Sequence, residues 1–81
     1  LKDRIKKKFS WYKYMPPTIK EIIIEMCYQL GLYGFSCFKK TISYLQNKEW
    51  KKASVEMLDS RWAVQTPRRA RELSEIVKGV K

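Results

Sequence analysis

Histidine is absent from the chain, and cysteine occurs twice. Without histidine the commonest general base of a nucleophilic triad and the commonest metal ligand are missing. Cys27 and Cys37 follow neither a zinc pattern nor a C-x-x-C pattern, so no metal site and no cofactor is expected, and both are read as buried free thiols. Glycine is scarce as well. Gly31 and Gly34 lead into Phe35 and not into the Lys-Ser or Lys-Thr of a phosphate-binding loop, and no Ser/Gly hinge or low-complexity linker divides the chain. The longest mostly apolar stretch, Ile22 to Phe38, is interrupted by Glu25, Gln29, Gly31 and Gly34, which excludes a membrane span and leaves a core segment. No signal-peptide pattern opens the sequence. A chain that begins at Leu1 is therefore expected to be an internal fragment or a processed piece.

Acidic residues are also few, eight against eighteen lysines and arginines, for a formal net charge of +10. That excess favours encounter with polyanions, whether nucleic acid, anionic lipid or a bacterial wall. Large apolar side chains are plentiful: hydrophobic residues make up 44% and aromatics 14%, which argues for a folded domain despite 32% charge. At 81 residues the chain fits one small domain with a modest core, burying about 60–65% of its unfolded surface.

Helical periodicity runs through the chain. Leu1, Ile5, Phe9 and Tyr12 form an apolar stripe beside Lys2, Arg4, Lys6, Lys7 and Lys8, ended by Met15-Pro16-Pro17. Pro17 suits the first position of a helix carrying Ile19, Ile22, Ile23, Met26, Cys27 and Leu30, with Gly31 and Gly34 as its end and a turn. Phe35, Phe38, Ile42 and Leu45 mark the next stripe. Asn47 is expected to cap a helix with Glu49 in its first turn and Trp50, Ala53, Met57 and Leu58 buried. Residues 60–65 break the pattern. Thr66-Pro67 then reads as a hydroxyl cap and first residue of a last helix with Ala70, Leu73, Val77 and Val80 inward, and with Arg68–Glu72 and Arg71–Glu75 pairs outward. The expected fold is all-α, a compact bundle of about five helices.

Two strings are more particular than periodicity: Tyr28-Gln29-Leu30-Gly31, and Ser60-Arg61-Trp62-Ala63-Val64-Gln65-Thr66-Pro67-Arg68-Arg69-Ala70. The second, with the Phe-rich helix and the Lys48-Glu49-Trp50 helix start between them, resembles the C-terminal signature of the phage-type lysozymes, glycoside hydrolase family 24. The resemblance spans roughly residues 12–79. It implies a two-lobed parent enzyme that hydrolyses the β-1,4 bond between N-acetylmuramic acid and N-acetylglucosamine of bacterial peptidoglycan in the cleft between its lobes. Residues 1–8 would be the end of the inter-lobe helix and 9–81 the C-terminal lobe. The general-acid glutamate and its accompanying aspartate and threonine would belong to an N-terminal catalytic lobe that this chain lacks.

Carried over residue by residue, the resemblance makes Gln29 a substrate-facing amide and adds Ser60, Trp62 and Glu56 to the same cleft wall, Trp62 being equally a packing residue. Glu56 stands where some members of the family carry an asparagine that faces the stem peptide, a departure that would change the wall contact. Arg69 would reach across the cleft toward the catalytic glutamate, and without that lobe would face solvent. An endolysin would pass from host cytoplasm to periplasm and wall, and a virion lysozyme would sit in the phage tail.

Within the chain no catalytic pair is expected. Glycosidases flank the scissile bond with two carboxyl groups about 5 Å or about 6.5–9.5 Å apart. Asp3, Glu21, Glu25, Glu49, Glu72 and Glu75 fall on polar helix faces near lysines or arginines, and Glu56 and Asp59 share one face. Two other classes stay open: a non-catalytic peptidoglycan-binding or virion structural module, and a small nucleic-acid-binding protein built on Lys6-Lys7-Lys8 beside Trp11, Tyr12 and Tyr14. Nucleic acid is disfavoured because neighbouring lysines spread around a helix axis. Membrane-surface binding through Leu1, Ile5 and Phe9 competes with the use of that stripe in the core.

Overall fold

The computed structural model describes residues 2–80, and Leu1, assigned above to the first apolar stripe, lies outside them. Among the described residues the fold is all-α: six α-helices and one 3-10 helix, with no strand. The boundary between two compact units falls between Cys37 and Phe38, a division the hydrophobic pattern does not signal.

In the first unit α1 spans Lys2–Lys8, with Ile5 buried among exposed lysines. Phe9 leaves the helix with extended backbone, and a 3-10 helix, Ser10–Tyr14, replaces the continuous helix expected through Tyr12. The Phe9 ring meets Phe35 edge-on at 5.6 Å and Trp11 at 5.5 Å, and the tighter winding still buries Tyr12. Met15 and Pro16 are both extended, as residues before proline must be. Pro17 then opens α2, Pro17–Ser36, where its missing N–H costs nothing. The expected stripe is buried from Ile19 to Cys27.

Gly31 interrupts α2 with φ 79° and ψ 161°, a conformation open essentially to glycine alone, and the helix resumes to bury Phe35. Cys27 is buried and Cys37 exposed; both are free. The expectation of two buried thiols therefore fails for Cys37, which sits at the α2 C-cap with its side chain turned outward.

The second unit comprises α3, Lys39–Gln46; α4, Trp50–Leu58; α5, Arg61–Gln65; and α6, Pro67–Lys78. α4 packs against both α3 and α6, and α5 against α6. Its buried positions on α4 are Trp50, Ala53, Ser54 and Met57, whereas Leu58, expected inside, is 46% exposed at the last position of the helix. Ser54 and Ser74 satisfy their hydroxyls locally, donating to the carbonyls of Lys51 at 2.7 Å and Arg71 at 2.9 Å. Their small size suits two closely packed helices.

Asn47 does not cap α4. It is the C-cap of α3, followed by Lys48 at φ 60°. The Lys48 N–H donates to the Leu45 carbonyl at 3.0 Å and the Glu49 N–H to Tyr44 at 2.8 Å, the paired bonds of a Schellman motif with lysine in the left-handed position usually taken by glycine. Those two residues move the start of α4 onward, so Glu49 occupies the N-cap without a side-chain capping bond and pairs with Lys52 at 3.2 Å.

Candidate functional site

The string from Ser60 to Ala70 folds as two helices joined by a tight turn. Ser60 is extended at the N-cap of α5, where its Oγ accepts the Ala63 N–H at 3.2 Å and donates to the Met57 carbonyl at 2.7 Å. It thereby closes the first turn of α5 and ties it to the end of α4. Trp62 is 3% exposed, its ring meeting Phe38 edge-on at 6.3 Å. The Trp62 carbonyl accepts both the N–H and the Oγ1–H of Thr66, each at 2.9 Å. Thr66 thus does not cap α6 with its hydroxyl, as its place before proline suggests; it locks the end of α5 instead. Pro67 takes the first position of α6, and Ala70 is fully buried.

Arg69 projects from α6 and donates to Glu72 Oε2 at 2.8 Å. It is half-exposed and ion-paired, and Glu72 takes this arginine three residues back in place of Arg68 four back. Glu56 is half-buried on α4 and lines an open cavity of about 330 Å³ with Tyr44, Lys51, Lys52 and Val55. A second cavity of about 360 Å³ shares Lys51 and Lys52 and adds Lys48, Glu49, Trp50, Lys78 and Val80. Sequence reasoning missed these cavities, although the Lys48-Glu49-Trp50-Lys51-Lys52 string was their signal.

Gln29 belongs to the first unit. It is exposed on α2, two residues before the Gly31 break. Two large aromatics close by in sequence are open to solvent, Tyr28 at 83% and Tyr33 at 81%, neither of which had been assigned a role. The structure therefore gathers Glu56, Ser60, Trp62 and Arg69 on one unit and places Gln29 on the other.

The remaining features narrow the chemistry. Glu25 is half-buried on α2 with Oε2 shielded from solvent, more enclosed than its polar-face position suggests. Tyr12 is buried and so withdrawn from the basic-aromatic patch beside Lys6, Lys7 and Lys8, while the Tyr14 ring is already faced by Lys13 at 5.2 Å. Ile5 and Phe9 are buried too, which removes them from a membrane-binding stripe. Among the described residues no cluster of acids and cysteines is arranged to hold a metal ion, and no helix is long and apolar enough to cross a membrane. Desolvation pushes the Cys27 thiol up to about 11 and also raises Tyr12, which Cys27 raises further.

Two Dictyostelium discoideum proteins are similar to this chain. Probable T4-type lysozyme 1 is 31% identical over 67 residues, covering 83% of this chain and 39% of that protein. Probable T4-type lysozyme 2 is 29% identical over 65 residues, covering 80% and 38%. The chain spans about two fifths of the length of the curated relatives it matches. No protein-family model and no solved structure matches it. The relationship established is lysozyme-like.

Proposed function

We propose that the chain is the substrate-holding C-terminal lobe of a T4-type lysozyme, and that its parent cuts the β-1,4 glycosidic bond of peptidoglycan with an acid supplied from outside these residues. The observation that carries the reading is the similarity to T4-type lysozymes over 67 residues, reaching across most of the chain yet only 39% of the relative. The local geometry supports it by separating packing residues from polar ones. Ser60, Trp62, Thr66, Pro67 and Ala70 hold the backbone in place, while Gln29, Glu56 and Arg69 keep polar groups within reach of solvent.

An exposed amide such as Gln29 both donates and accepts, which suits the acetamido and hydroxyl groups of an amino sugar or the peptide attached to it. Glu56 among Lys51 and Lys52 gives the wall an acid and two cations, a set able to select peptide stems by charge. The excess of positive charge draws the lobe toward an anionic wall, an on-rate effect that fades as salt rises.

Co-sedimentation with insoluble peptidoglycan tests the reading. The folded 81-residue chain is expected to bind without clearing a peptidoglycan suspension. Gln29→Ala is expected to weaken binding about fivefold, the worth of roughly one net hydrogen bond. Clearing by these residues alone would show that catalysis resides in them, and binding unaffected by both Gln29→Ala and Glu56→Ala would remove the cleft-wall assignment.

A further inference from the structure

We propose that the two adjoining cavities at the start of α4 form a binding site for a base-free, phosphate-bearing polymer, a polyol phosphate, held by Lys48, Lys51, Lys52 and Lys78. These lysines reach the site from three different places in the second unit: the turn after α3, the first turn of α4 and the last turn of α6. Four cations thus surround the larger cavity against one carboxylate, Glu49, which is already paired with Lys52 at 3.2 Å, and the smaller cavity adds one more, Glu56, which leaves lysines in excess over the two together. The charge left over calls for an anionic occupant.

Lys48 is held in place by more than its side chain. Its left-handed backbone, φ 60°, is fixed by the Schellman bonds of Lys48 and Glu49 to the end of α3, so the position of its Cα at the cavity rim is set by the turn. The first turn of α4 has no side-chain cap, so its leading N–H groups add a partial positive charge beside the lysines.

Size and lining identify the occupant. Lys51 and Lys52 border both cavities, about 360 Å³ and about 330 Å³, so successive phosphates of one chain can share them. Trp50, Val80 and Val55 supply apolar surface for the carbon segments between phosphates. Stacking of nucleobases needs open ring faces. Here Trp50 is only 8% exposed, and the Tyr44 ring is faced by the Lys52 ammonium at 5.9 Å. The lining therefore suits a phosphate polymer without bases, and this occupant shares Lys51 and Lys52 with the cleft wall proposed above, whereas Lys48 and Lys78 belong to it alone.

The test measures binding of a glycerol-phosphate polymer to the intact protein by fluorescence anisotropy across a salt series. Lys51→Gln with Lys52→Gln is expected to weaken binding at least about tenfold and to cut the slope of log affinity against log salt by about half, since two of four ionic contacts go. Lys78→Gln alone, distant in sequence, is expected to weaken it severalfold. Lys6→Gln with Lys7→Gln removes the same charge from α1 and is expected to change affinity less than threefold. Circular dichroism on each variant establishes that it is folded. Equal losses in the α1 and α4 variants would reduce the site to general electrostatic attraction and overturn the proposal. So would absence of binding, or duplex DNA binding as tightly with the same dependence on Lys51, Lys52 and Lys78.

Discussion

Replacing Ser60 separates an architectural hydroxyl from a substrate-binding one. The Ser60 Oγ makes two bonds at once, accepting from the Ala63 N–H at 3.2 Å and donating to the Met57 carbonyl at 2.7 Å. Ser60→Ala removes both. Loss of an N-cap hydroxyl costs about 1 kcal/mol, whereas glycine at the same position costs only about a few tenths. In a domain of this size 1 kcal/mol moves the melting temperature by about 4–8 °C. Ser60→Ala is therefore expected to lower Tm by about 4–8 °C and Ser60→Gly by about 1–3 °C. Ser60→Thr keeps donor and acceptor and is expected to lie close to the parent. Ser60→Asp keeps the acceptor and adds a favourable anion at the helix start but loses the donor to Met57, so it should fall between threonine and alanine. Differential scanning calorimetry gives the order directly. If alanine and threonine melt alike, the hydroxyl does not cap α5, and a role facing solvent gains by elimination. In the same series, peptidoglycan binding by the folded threonine variant should match the parent.

Further expectations follow from single features. Gly31→Ala is expected to cost about 1–3 kcal/mol although nothing lies within 4 Å of the added Cβ, because φ 79° with ψ 161° strains any side chain; chemical denaturation should show a loss larger than that of Gly34→Ala, whose Cβ meets Leu30 Cβ at 3.1 Å in helical backbone. Lys48→Gly relieves the left-handed turn and is expected to raise Tm by several degrees while weakening polyanion binding, a trade visible only if strain and binding reside in the same residue. Cys37, exposed, should react with a thiol reagent in the native protein, and Cys27 only upon unfolding, as mass spectrometry of the labelled chain would reveal. Because burial raises the Cys27 thiol from 9.0 to about 11, the unfolded chain releases its proton first; stability is full below pH 9 and declines as pH rises toward 11, and Cys27→Ala should flatten that decline. Trp62→Ala is expected to cost about 3–5 kcal/mol, comparable with the whole stability of a small domain, so any binding lost in it reports unfolding, not a lost contact.

The helices are legible in the sequence wherever an apolar stripe of sufficient length meets a strong punctuation mark. Ile19 to Cys27 after Pro17 is such a case, as is Ala70 to Val77 after Pro67, and in both the buried faces agree with the periodicity. Short elements are less legible. The five-residue α5 carries too few apolar positions to show a period, and the 3-10 helix follows Phe9, whose ring meets Phe35, distant in sequence. Asn47 misleads because a capping residue type serves either end of a helix, and only the backbone bonds of Lys48 and Glu49 reveal which end it is. Leu58 misleads for a related reason: it shares a face with buried Ser54 four residues back, but α4 ends there, and helix period alone does not say how far along a stripe burial extends.

By itself the sequence determined the helical class, the positions of Pro17 and Pro67 as helix starts, and Gly31 as a point where helical backbone fails, although α2 resumes there and carries Phe35 on to Ser36 where a helix end and turn were expected. All of these rest on local backbone preference or on residue identity, which need no neighbours. The local choices that Thr66 locks α5 and does not cap α6, and that Arg69 and not Arg68 pairs with Glu72, are open in the sequence because each residue has two partners within a turn, while tertiary packing decided that Cys27 is buried and Cys37 exposed. It alone also gathered Lys48, Lys51, Lys52 and Lys78 around one cavity. Partner choice and burial depend on which groups folding brings within a few ångströms of one another, and Lys78 joins the other three because α4 and α6 pack together.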